Sequence, residues 1–392
     1  MRYRHFRCVA GAAVLGLIGG LPLRARADGA PAAEIGTPAV ISREPAYYHG
    51  WPTVARRRNG QLVLVCSGGR ETHVCPFGRV EMMTSNDEGK TWTWPCVLLD
   101  TPIDDRDAGV VETAAGTLLV TTFTSLAYVP HLAQAEALKP GDPKAWPPER
   151  LEAWRAVHNR VTEEQRRALL GVWAIRSTDG GLTWSPPVET RLNSPHGPVV
   201  LSDGRLLYAG KALWRKEETV GVCVSTDDGK TWSDPVPIPP RAGDDPRKYH
   251  ELHAVETADG RILAHIRNHN KANDGETLQS ESADGGKTWS TPKTIGVWGL
   301  PSHLLRLKDG RLVMTYGHRR DPLGNQARLS TDHGRTWSEP ILLSADGTVG
   351  DLGYPSTVEL SDGALLTVWY ERMKESDKAV LRQVRWRPPA AK

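Results

Sequence analysis

The sequence predicts an all-β fold, a six-bladed β-propeller with a small helical insertion in blade two. Two repeated patterns carry this prediction. An eight-residue box, Ser-x-Asp-x-Gly-x-Thr-Trp, begins at Ser85, Ser177, Ser225, Ser282 and Ser330. Six short turns lie between alternating apolar segments, at Asn59-Gly60, Ala115-Gly116, Asp203-Gly204, Asp259-Gly260, Asp309-Gly310 and Asp362-Gly363. Since turns of this type join antiparallel strands, each unit of about fifty residues is predicted to be one four-stranded blade.

The box is interpreted as a hairpin turn joined to a packing anchor. In the copy that begins at Ser225, Asp227 is placed to accept hydrogen bonds from backbone N–H groups, and Gly229 tolerates the positive φ of a tight reversal. The Ser and Thr hydroxyls add local bonds, and Trp232 offers an apolar face to a neighbouring sheet. The box therefore indicates a structural role.

Closure of the ring is predicted to use the N-terminal part of the chain. The sixth unit has its turn at Asp362-Gly363 and a third strand near residues 379–386, so its fourth strand is expected to come from Thr37–Ile41. This strand would leave no free sheet edge between the first and last blades. One propeller domain is therefore predicted over residues 35–388.

One segment interrupts the regular spacing. The boxes at Ser85 and Ser177 start 92 residues apart, whereas the other intervals are 48 or 57 residues. The additional residues, 131–170, are predicted to be helical, because Pro147-Pro148 suits a helix start and Thr162-x-x-Gln165 matches a capping box. Two interpretations remain open for this insertion, a packing element or a rim over a binding site.

Residues 1–27 have the features of a secretory signal peptide. Three arginines precede an apolar run, and Ala25-Arg26-Ala27 fits a cleavage site. The apolar run is short for a spanning helix, so a secreted or periplasmic protein without a membrane span is expected. The formal net charge is +3, and removal of the five arginines of this segment leaves −2. This balance gives no reason to propose nucleic acid as a partner.

Four cysteines remain after residue 27, namely Cys66, Cys75, Cys96 and Cys223. An exported protein can form disulfides, so a bridge between Cys66 and Cys75 and a set of buried free thiols are both open. The cysteine spacing does not match a metal site, and neither a metal nor a cofactor is predicted.

Candidate functional residues gather at one end of the predicted ring. The hairpin turns and the boxes share one end, so the remaining loops meet at the other end, where ligands bind in such folds. Glu251 lies eight residues before its hairpin Asp, and Arg267 lies seven residues after the Gly. Tyr354 and Glu371 have nearly the same relation in blade six. The same end is predicted to carry His49, Arg70, Asp105, Arg106, Arg319 and Arg320.

These residues resemble those of a known enzyme superfamily. The boxes are similar to bacterial neuraminidase repeats, also called Asp boxes, and nearly the whole chain after residue 27 resembles the sialidases. The stretch Gly353-Tyr354-Pro355-Ser356, followed by Trp369-Tyr370-Glu371, is similar to the sialidase segment that holds a tyrosine nucleophile. Glu251 followed by Arg267 matches the base and one carboxylate-binding arginine, and Arg319 or Arg320 resembles another.

The resemblance implies a division of roles. Tyr354 would be the nucleophile, Glu251 its base, and Glu371 would orient an arginine. The family's first arginine is replaced here by Gly50, for which Arg70 or Arg106 would compensate. Where sialidases carry an aspartate that acts as acid and base, the stretch after Gly69-Arg70 offers Glu71 and His73.

The resulting prediction is an exported exo-glycoside hydrolase of the sialidase type. It would cleave a terminal acidic sugar from a glycan with retention of configuration, because the arginines bind a carboxylate and a neutral tyrosine is not repelled by it. Two alternatives remain open. One is a carbohydrate-binding propeller without turnover, and the other is a glycosidase of the same fold with a different sugar.

Overall fold

A computed structural model describes residues 32–139, 141–214, 218–374 and 376–390. The predicted signal peptide, residues 1–27, lies outside these described residues. Within them, no helix combines the length and the apolar character that crossing a membrane requires.

Six antiparallel sheets form the fold, one for each predicted blade. Two short N-terminal strands, β1 (Glu34–Ile35) and β2 (Ala39–Val40), come first. Blade one contains β3 (Tyr48–Arg56), β4 (Leu62–Arg70), β5 (Arg79–Ser85) and β6 (Cys96–Leu99). Blade two contains β7 (Asp104–Glu112), β8 (Leu118–Ser125), α1 (Val129–Ala137), α2 (Pro148–His158), α3 (Glu163–Ala168), β9 (Val172–Ser177) and β10 (Val188–Glu189).

The next four blades follow the same order of strands. Blade three contains β11 (Val199–Val200), β12 (Leu206–Lys211), β13 (Val220–Ser225) and β14 (Val236–Pro237). Blade four contains β15 (Tyr249–Glu256), β16 (Ile262–Asn268), β17 (Glu276–Ser282) and β18 (Lys293–Trp298). Blade five contains β19 (Ser302–Arg306), β20 (Leu312–His318), β21 (Gly324–Ser330) and β22 (Ile341–Ser344), and blade six contains β23 (Leu352–Glu359), β24 (Leu365–Arg372) and β25 (Ala379–Arg387). The predicted fold class is confirmed.

The boxes form the bonds that their residue types predict. Asp227 accepts hydrogen bonds from the Ser225 hydroxyl at 2.8 Å, from the Thr231 backbone N–H at 2.9 Å and from the Thr231 hydroxyl at 2.6 Å. Gly229 has φ = +78° and donates its N–H to the Ser225 hydroxyl. Trp232 is buried against apolar residues of blades two and three. Each box therefore ties the turn after the third strand to the apolar packing between neighbouring blades.

The N-terminal strands complete blade six, as expected. Ala39 and Val40 pair with Gln383 and Arg382 of β25, and β1 pairs with the end of the same strand. The Ser42 hydroxyl also accepts the backbone N–H of Leu381 at 2.6 Å. The outer edge of β25 is consequently covered, and the first and last blades are joined by a strand that belongs to the N-terminal segment.

The insertion in blade two packs against blade one. Trp154 of α2 is buried in a cluster with Cys75, Tyr128 and Leu132. The capping box at the start of α3 is present, with the Thr162 hydroxyl accepting the Gln165 N–H and the Gln165 side chain accepting the Thr162 N–H. Because α2 contacts the loop after β4, the insertion braces a loop at the candidate site end. The four cysteines after residue 27 are free thiols in the structure.

Removal of the N-terminal strands is predicted to destabilise the ring. A truncation that begins at residue 43 lacks β1, β2 and Ser42, so the outer edge of β25 loses its partners. We expect its melting temperature to fall by about 5 °C or more in differential scanning calorimetry. A truncation that begins at residue 33 retains both strands and is the matched control. Equal melting temperatures for the two proteins would contradict this account of ring closure.

Candidate active site

The first strands of blades one, two, four and six each contain a residue with an unusual backbone conformation at the equivalent position. Register shifts interrupt the pairing of β3, β7, β15 and β23, and a residue other than glycine adopts positive φ at each one. These residues are Trp51 (+53°), Asp107 (+47°), Glu251 (+45°) and Tyr354 (+52°). Residues other than glycine rarely adopt this backbone conformation, and such strain concentrates at functional sites. The bulges mark one end of the ring as the candidate site.

A single spacing places these four residues. Each lies eight residues before the first residue of its hairpin turn, at Asn59, Ala115, Asp259 and Asp362 respectively. The spacing predicts Glu251 and Tyr354 as site residues, and the same spacing in blades one and two also gives Trp51 and Asp107. Trp51 was not among the predicted site residues, although this rule identifies it.

Tyr354, Glu251 and Arg267 form one hydrogen-bonded unit. The Tyr354 hydroxyl donates to Glu251 Oε1 at 2.6 Å, and Arg267 Nη1 donates to the Tyr354 oxygen at 3.0 Å. Arg267 Nη1 also donates to Glu251 Oε2, and its Nε donates to His269 Nε2 at 2.8 Å. The structure thus brings together three residues from blades four and six that the sequence predicted to act together.

Burial and charge have opposite effects on the pKa values of Tyr354 and Glu251 in this unit. Burial raises the pKa of Tyr354 well above its ordinary value, and the negative charge of Glu251 adds to the increase. Burial also favours the neutral form of Glu251, but the charge of Arg267 and hydrogen bonds from Tyr354 and Arg267 outweigh it and lower its pKa. At neutral pH the unit therefore contains a neutral phenol beside an ionised carboxylate that accepts its proton.

His73 lies near this unit on the loop after β4. Its ring centroid is 5.0 Å from that of Trp51, and the Trp51 ring is 6.3 Å from that of Tyr354. His73 Nδ1 lies 2.9 Å from Asp351 Oδ1, and its side chain is 45% exposed. Tyr48 and Tyr370 also donate to Asp351, each at 3.0 Å. Because Asp351 orients the imidazole through Nδ1, Nε2 is left for proton transfer.

Arg319 and Arg320, which follow β20 of blade five, make different contacts. Arg319 donates through Nε and Nη2 to the Leu352 carbonyl, at 3.1 and 2.9 Å, and its guanidinium lies 5.8 Å from the centre of the Tyr354 ring. Arg320 is exposed, and its guanidinium lies over Trp298 at 5.2 Å. Arg319 is therefore the arginine of this pair that faces the Tyr354 unit.

Arg70 and Arg106 both pair with Asp104. Arg70 is fully buried and forms a fork with Asp104, with its Nη1 and Nη2 at 2.6 and 3.1 Å from the carboxylate oxygens. Arg106 donates to the same carboxylate at 3.3 Å and to the His73 carbonyl at 3.1 Å. Both guanidinium groups stack near Trp51, at 5.0 and 4.3 Å. The prediction that Arg70 binds substrate is corrected to a role in holding Trp51 and the His73 loop. Arg106 Nε and Nη2 have no hydrogen bond among the described residues, so its substrate-binding role stays a prediction.

Glu371 and Glu71 are directed away from the Tyr354 unit. Glu371 is buried and accepts hydrogen bonds from Trp369 and Arg382, both at 2.8 Å. It therefore holds a guanidinium, but not that of Arg267 or Arg319. Glu71 pairs with Arg150 and accepts the Trp154 indole N–H, so the insertion holds its carboxylate. Neither residue contacts Tyr354, and the assignments of both to catalysis are corrected.

Two further predicted residues are also buried behind the site. Asp105 accepts hydrogen bonds from the backbone N–H and hydroxyl of Thr101, and burial raises its pKa to about 8. His49 is 2% exposed and lies beside Glu81, with His49 Nε2 at 3.9 Å from Glu81 Oε2. Side chains along a strand point alternately to opposite faces of the sheet, and those of His49 and Asp105 point into the protein. Their position at the start of a blade does not predict this direction.

Asp107 has the chemistry of a residue that faces the site. Its Oδ1 is buried and has no hydrogen-bond partner among the described residues. Burial raises the pKa of Asp107 to about 7. The positive charge of Arg106 opposes this increase, and the nearby negative charge of Glu251 adds to it. An unpaired carboxyl group at the position equivalent to Glu251 and Tyr354 is available for contact with a ligand.

A family comparison agrees with the repeat pattern. The sequence profile of the BNR repeat-like domain matches residues 31–234 and 143–367. The chain belongs to this family. With the six blades, this assignment confirms the predicted membership of the sialidase-like superfamily of propellers. No curated protein sequence matches the chain.

Solved structures share the fold. A Dyadobacter fermentans protein of unknown function is 25% identical, covers 91% of this chain and 100% of its own, and superimposes with a TM-score of 0.73. The K499G mutant of NanB sialidase from Streptococcus pneumoniae is 14% identical, with 91% and 71% covered and a TM-score of 0.60. Trypanosoma rangeli sialidase in complex with sialic acid is 17% identical, with 91% and 59% covered and a TM-score of 0.59. The likeness to the two sialidases, at 14% and 17% identity, shows the shared fold.

The contacts of Arg70 predict a structural rather than a ligand-binding role. In Arg70→Met, the buried Asp104 carboxylate loses its fork, which should lower the free energy of unfolding by about 3–5 kcal/mol in urea titrations. Arg320→Met is the matched control at an exposed position, with an expected change within about 0.5 kcal/mol. A stable Arg70→Met protein with weakened ligand binding would restore the original assignment.

Proposed function

We propose that the protein is an exported exo-glycoside hydrolase that removes a terminal acidic sugar with Tyr354 as nucleophile. The observation that carries the proposal is the hydrogen bond from the Tyr354 hydroxyl to Glu251 at 2.6 Å, with Arg267 on the same oxygen. A buried tyrosine is a poor nucleophile until a base accepts its proton, and an ionised carboxylate at this distance meets that need. The resemblance of the Gly353–Ser356 stretch to sialidases supports the same assignment.

In the first half of the reaction, the Tyr354 oxygen attacks the anomeric carbon and transfers its proton to Glu251. The bond from that carbon to the leaving-group oxygen breaks, and His73 Nε2 donates a proton to that oxygen. Asp351 stabilises the imidazolium through Nδ1, and Arg267 stabilises negative charge on the phenol oxygen. The product of this half is a glycosyl-tyrosine intermediate.

In the second half, water attacks the anomeric carbon of the intermediate while His73 accepts one of its protons. The bond from carbon to the Tyr354 oxygen breaks, and Glu251 returns the proton to the phenol. Two successive inversions leave the sugar with its original configuration. A neutral nucleophile suits an acidic sugar, since a carboxylate nucleophile would be repelled by the substrate carboxylate.

The acidic sugar is supported by the free donors beside Tyr354. Arg319 has an Nη1 without a hydrogen bond in the described part of the chain, and the same holds for Arg267 Nη2. Two guanidinium groups beside the nucleophile can hold one carboxylate by charge-assisted hydrogen bonds. Trp51 and Gly50 occupy the region where the family's first arginine is expected, so this clamp has two arginines instead of three.

Loss of the phenol oxygen is predicted to abolish turnover. In Tyr354→Phe, we expect kcat on a hydrolysed aryl glycoside to fall by at least about 10³-fold, because the attacking atom is absent. Binding of the product sugar, measured by calorimetry, should change little. The control is Tyr316→Phe, a buried tyrosine that contacts Gln326 in blade five. Binding without turnover in the parent protein would favour a carbohydrate-binding propeller, and retained activity in Tyr354→Phe would remove Tyr354 from the mechanism.

The charge of the substrate can be tested at Arg319. Arg267 also holds Glu251 and Tyr354, so its replacement would impair hydrolysis of any sugar. Arg319→Lys keeps the charge but loses the planar fork, and kcat/KM for an acidic glycoside should fall roughly 10- to 150-fold. The neutral analogue, with an alcohol in place of the carboxylate, should be little affected.

Arg320→Lys provides the matched control, because this arginine is exposed and lies over Trp298. Equal losses for the acidic and neutral glycosides in Arg319→Lys would assign Arg319 to support of the Leu352 backbone. The acidic-sugar proposal would then be wrong, while the nucleophile assignment would stand on Tyr354→Phe alone.

A further inference from the structure

A second cluster of ligating groups lies away from the Tyr354 unit. Glu44, on the segment between β2 and β3, faces His49 of β3 and Glu81 of β5. One potential ligand atom from each residue lies within 4.8 Å of the other two. Two of these residues are almost completely buried, His49 at 2% and Glu81 at 0% exposed. The sequence did not predict this cluster, because its members belong to three separate segments with no ligand spacing.

The cluster contains polar atoms that the protein itself does not satisfy. Glu81 Oε2 and Glu44 Oε2 are inaccessible to water and have no hydrogen-bond partner in the described chain. Glu81 Oε2 points towards the imidazole, at 3.9 Å from His49 Nε2. An unpaired buried polar atom costs about 1–3 kcal/mol, and more if it is charged. Two such carboxylate oxygens beside an imidazole indicate a missing partner.

The surrounding charge favours a cation as that partner. Arg79 donates through Nε to Glu81 Oε1 at 2.7 Å, which offsets one of the two carboxylates and leaves the other uncompensated. His49 Nε2 faces Glu81 Oε2, and the lone pair of an imidazole nitrogen can bind a metal ion.

We propose that Glu44, His49 and Glu81 form a binding site for one divalent transition-metal ion. One imidazole nitrogen and two carboxylate oxygens suit Zn²⁺ best and Mn²⁺ less well, whereas Ca²⁺ and Mg²⁺ prefer oxygen ligands alone. Ligands of a tetrahedral ion lie about 3.3 Å apart, so binding shortens the separations in the cluster by about 1.5 Å at most. Glu44 is only partly buried on a connecting segment, and it is the ligand placed to move.

The position of the site gives the ion a structural role. Glu44 lies four residues after Val40, the last residue of the strand β2 that completes blade six. His49 and Glu81 belong to the first and third strands of blade one. The ion therefore ties the N-terminal segment to blade one at the junction where the ring closes. It does not take part in the reaction assigned to Tyr354, and the inference stands independently of the proposed function.

The test measures metal binding and its effect on stability. Protein without a histidine tag is stripped with a chelator and titrated by calorimetry with Zn²⁺, Mn²⁺, Ca²⁺ and Mg²⁺ in turn. We expect one Zn²⁺ per chain, weaker Mn²⁺ and no saturable Ca²⁺ or Mg²⁺ binding. At a Zn²⁺ concentration about 100-fold above Kd, the melting temperature should rise by about 4 °C.

Variants separate this site from binding of zinc elsewhere on the surface. Glu44→Gln lies on a partly exposed segment and should fold, and it should weaken Zn²⁺ binding at least about 100-fold, as should His49→Gln. His131→Gln, at an exposed histidine of α1, is the matched control and should bind like the parent. Indifference of the parent to all four ions would overturn the proposal, and so would equal Zn²⁺ binding by the parent and Glu44→Gln.

Discussion

Closure of the six-bladed ring is the constraint on which the candidate site depends. The inner strand of each blade meets the others near the axis, so residues separated by more than a hundred positions become neighbours at one end. Glu251 of blade four accepts a hydrogen bond from the Tyr354 hydroxyl of blade six across this end, at 2.6 Å. Neither blade alone could hold that pair. The paired N-terminal strands, which join blade six to blade one, therefore support the site as well as the fold.

Strained bulges in the inner strands orient the side chains of the candidate site. The bulges at Trp51, Asp107, Glu251 and Tyr354 turn four side chains to one end of the ring. The surrounding contacts keep these conformations, as in the stack of Arg70 and Arg106 on Trp51. A buried network of this kind holds Tyr354, Glu251 and Arg267 in fixed positions, which is the arrangement that the proposed mechanism requires.

The sequence was informative wherever a pattern is local or repeated. The boxes, the hairpin turns and the position of Tyr354 relative to Asp362 follow from residue types and spacing, and the structure has them as expected. The same spacing, applied to every blade, would also have identified Trp51. Side-chain partners across blades are not local, so the sequence could not show that Arg70 is committed to Asp104 or Glu371 to Arg382. It showed which end of the ring each residue occupies, but not the side chain that it contacts.

The central claim, a covalent reaction at Tyr354, is tested most directly by trapping its intermediate. The protein is incubated with activated fluorinated sugars, among them 2,3-difluorosialic acid. Intact mass spectrometry followed by peptide mapping then locates the label. The account predicts one sugar per chain on Tyr354, and no label in Tyr354→Phe. A label on a carboxylate, or hydrolysis of a glycoside whose fluorinated analogue leaves Tyr354 unmodified, would contradict it.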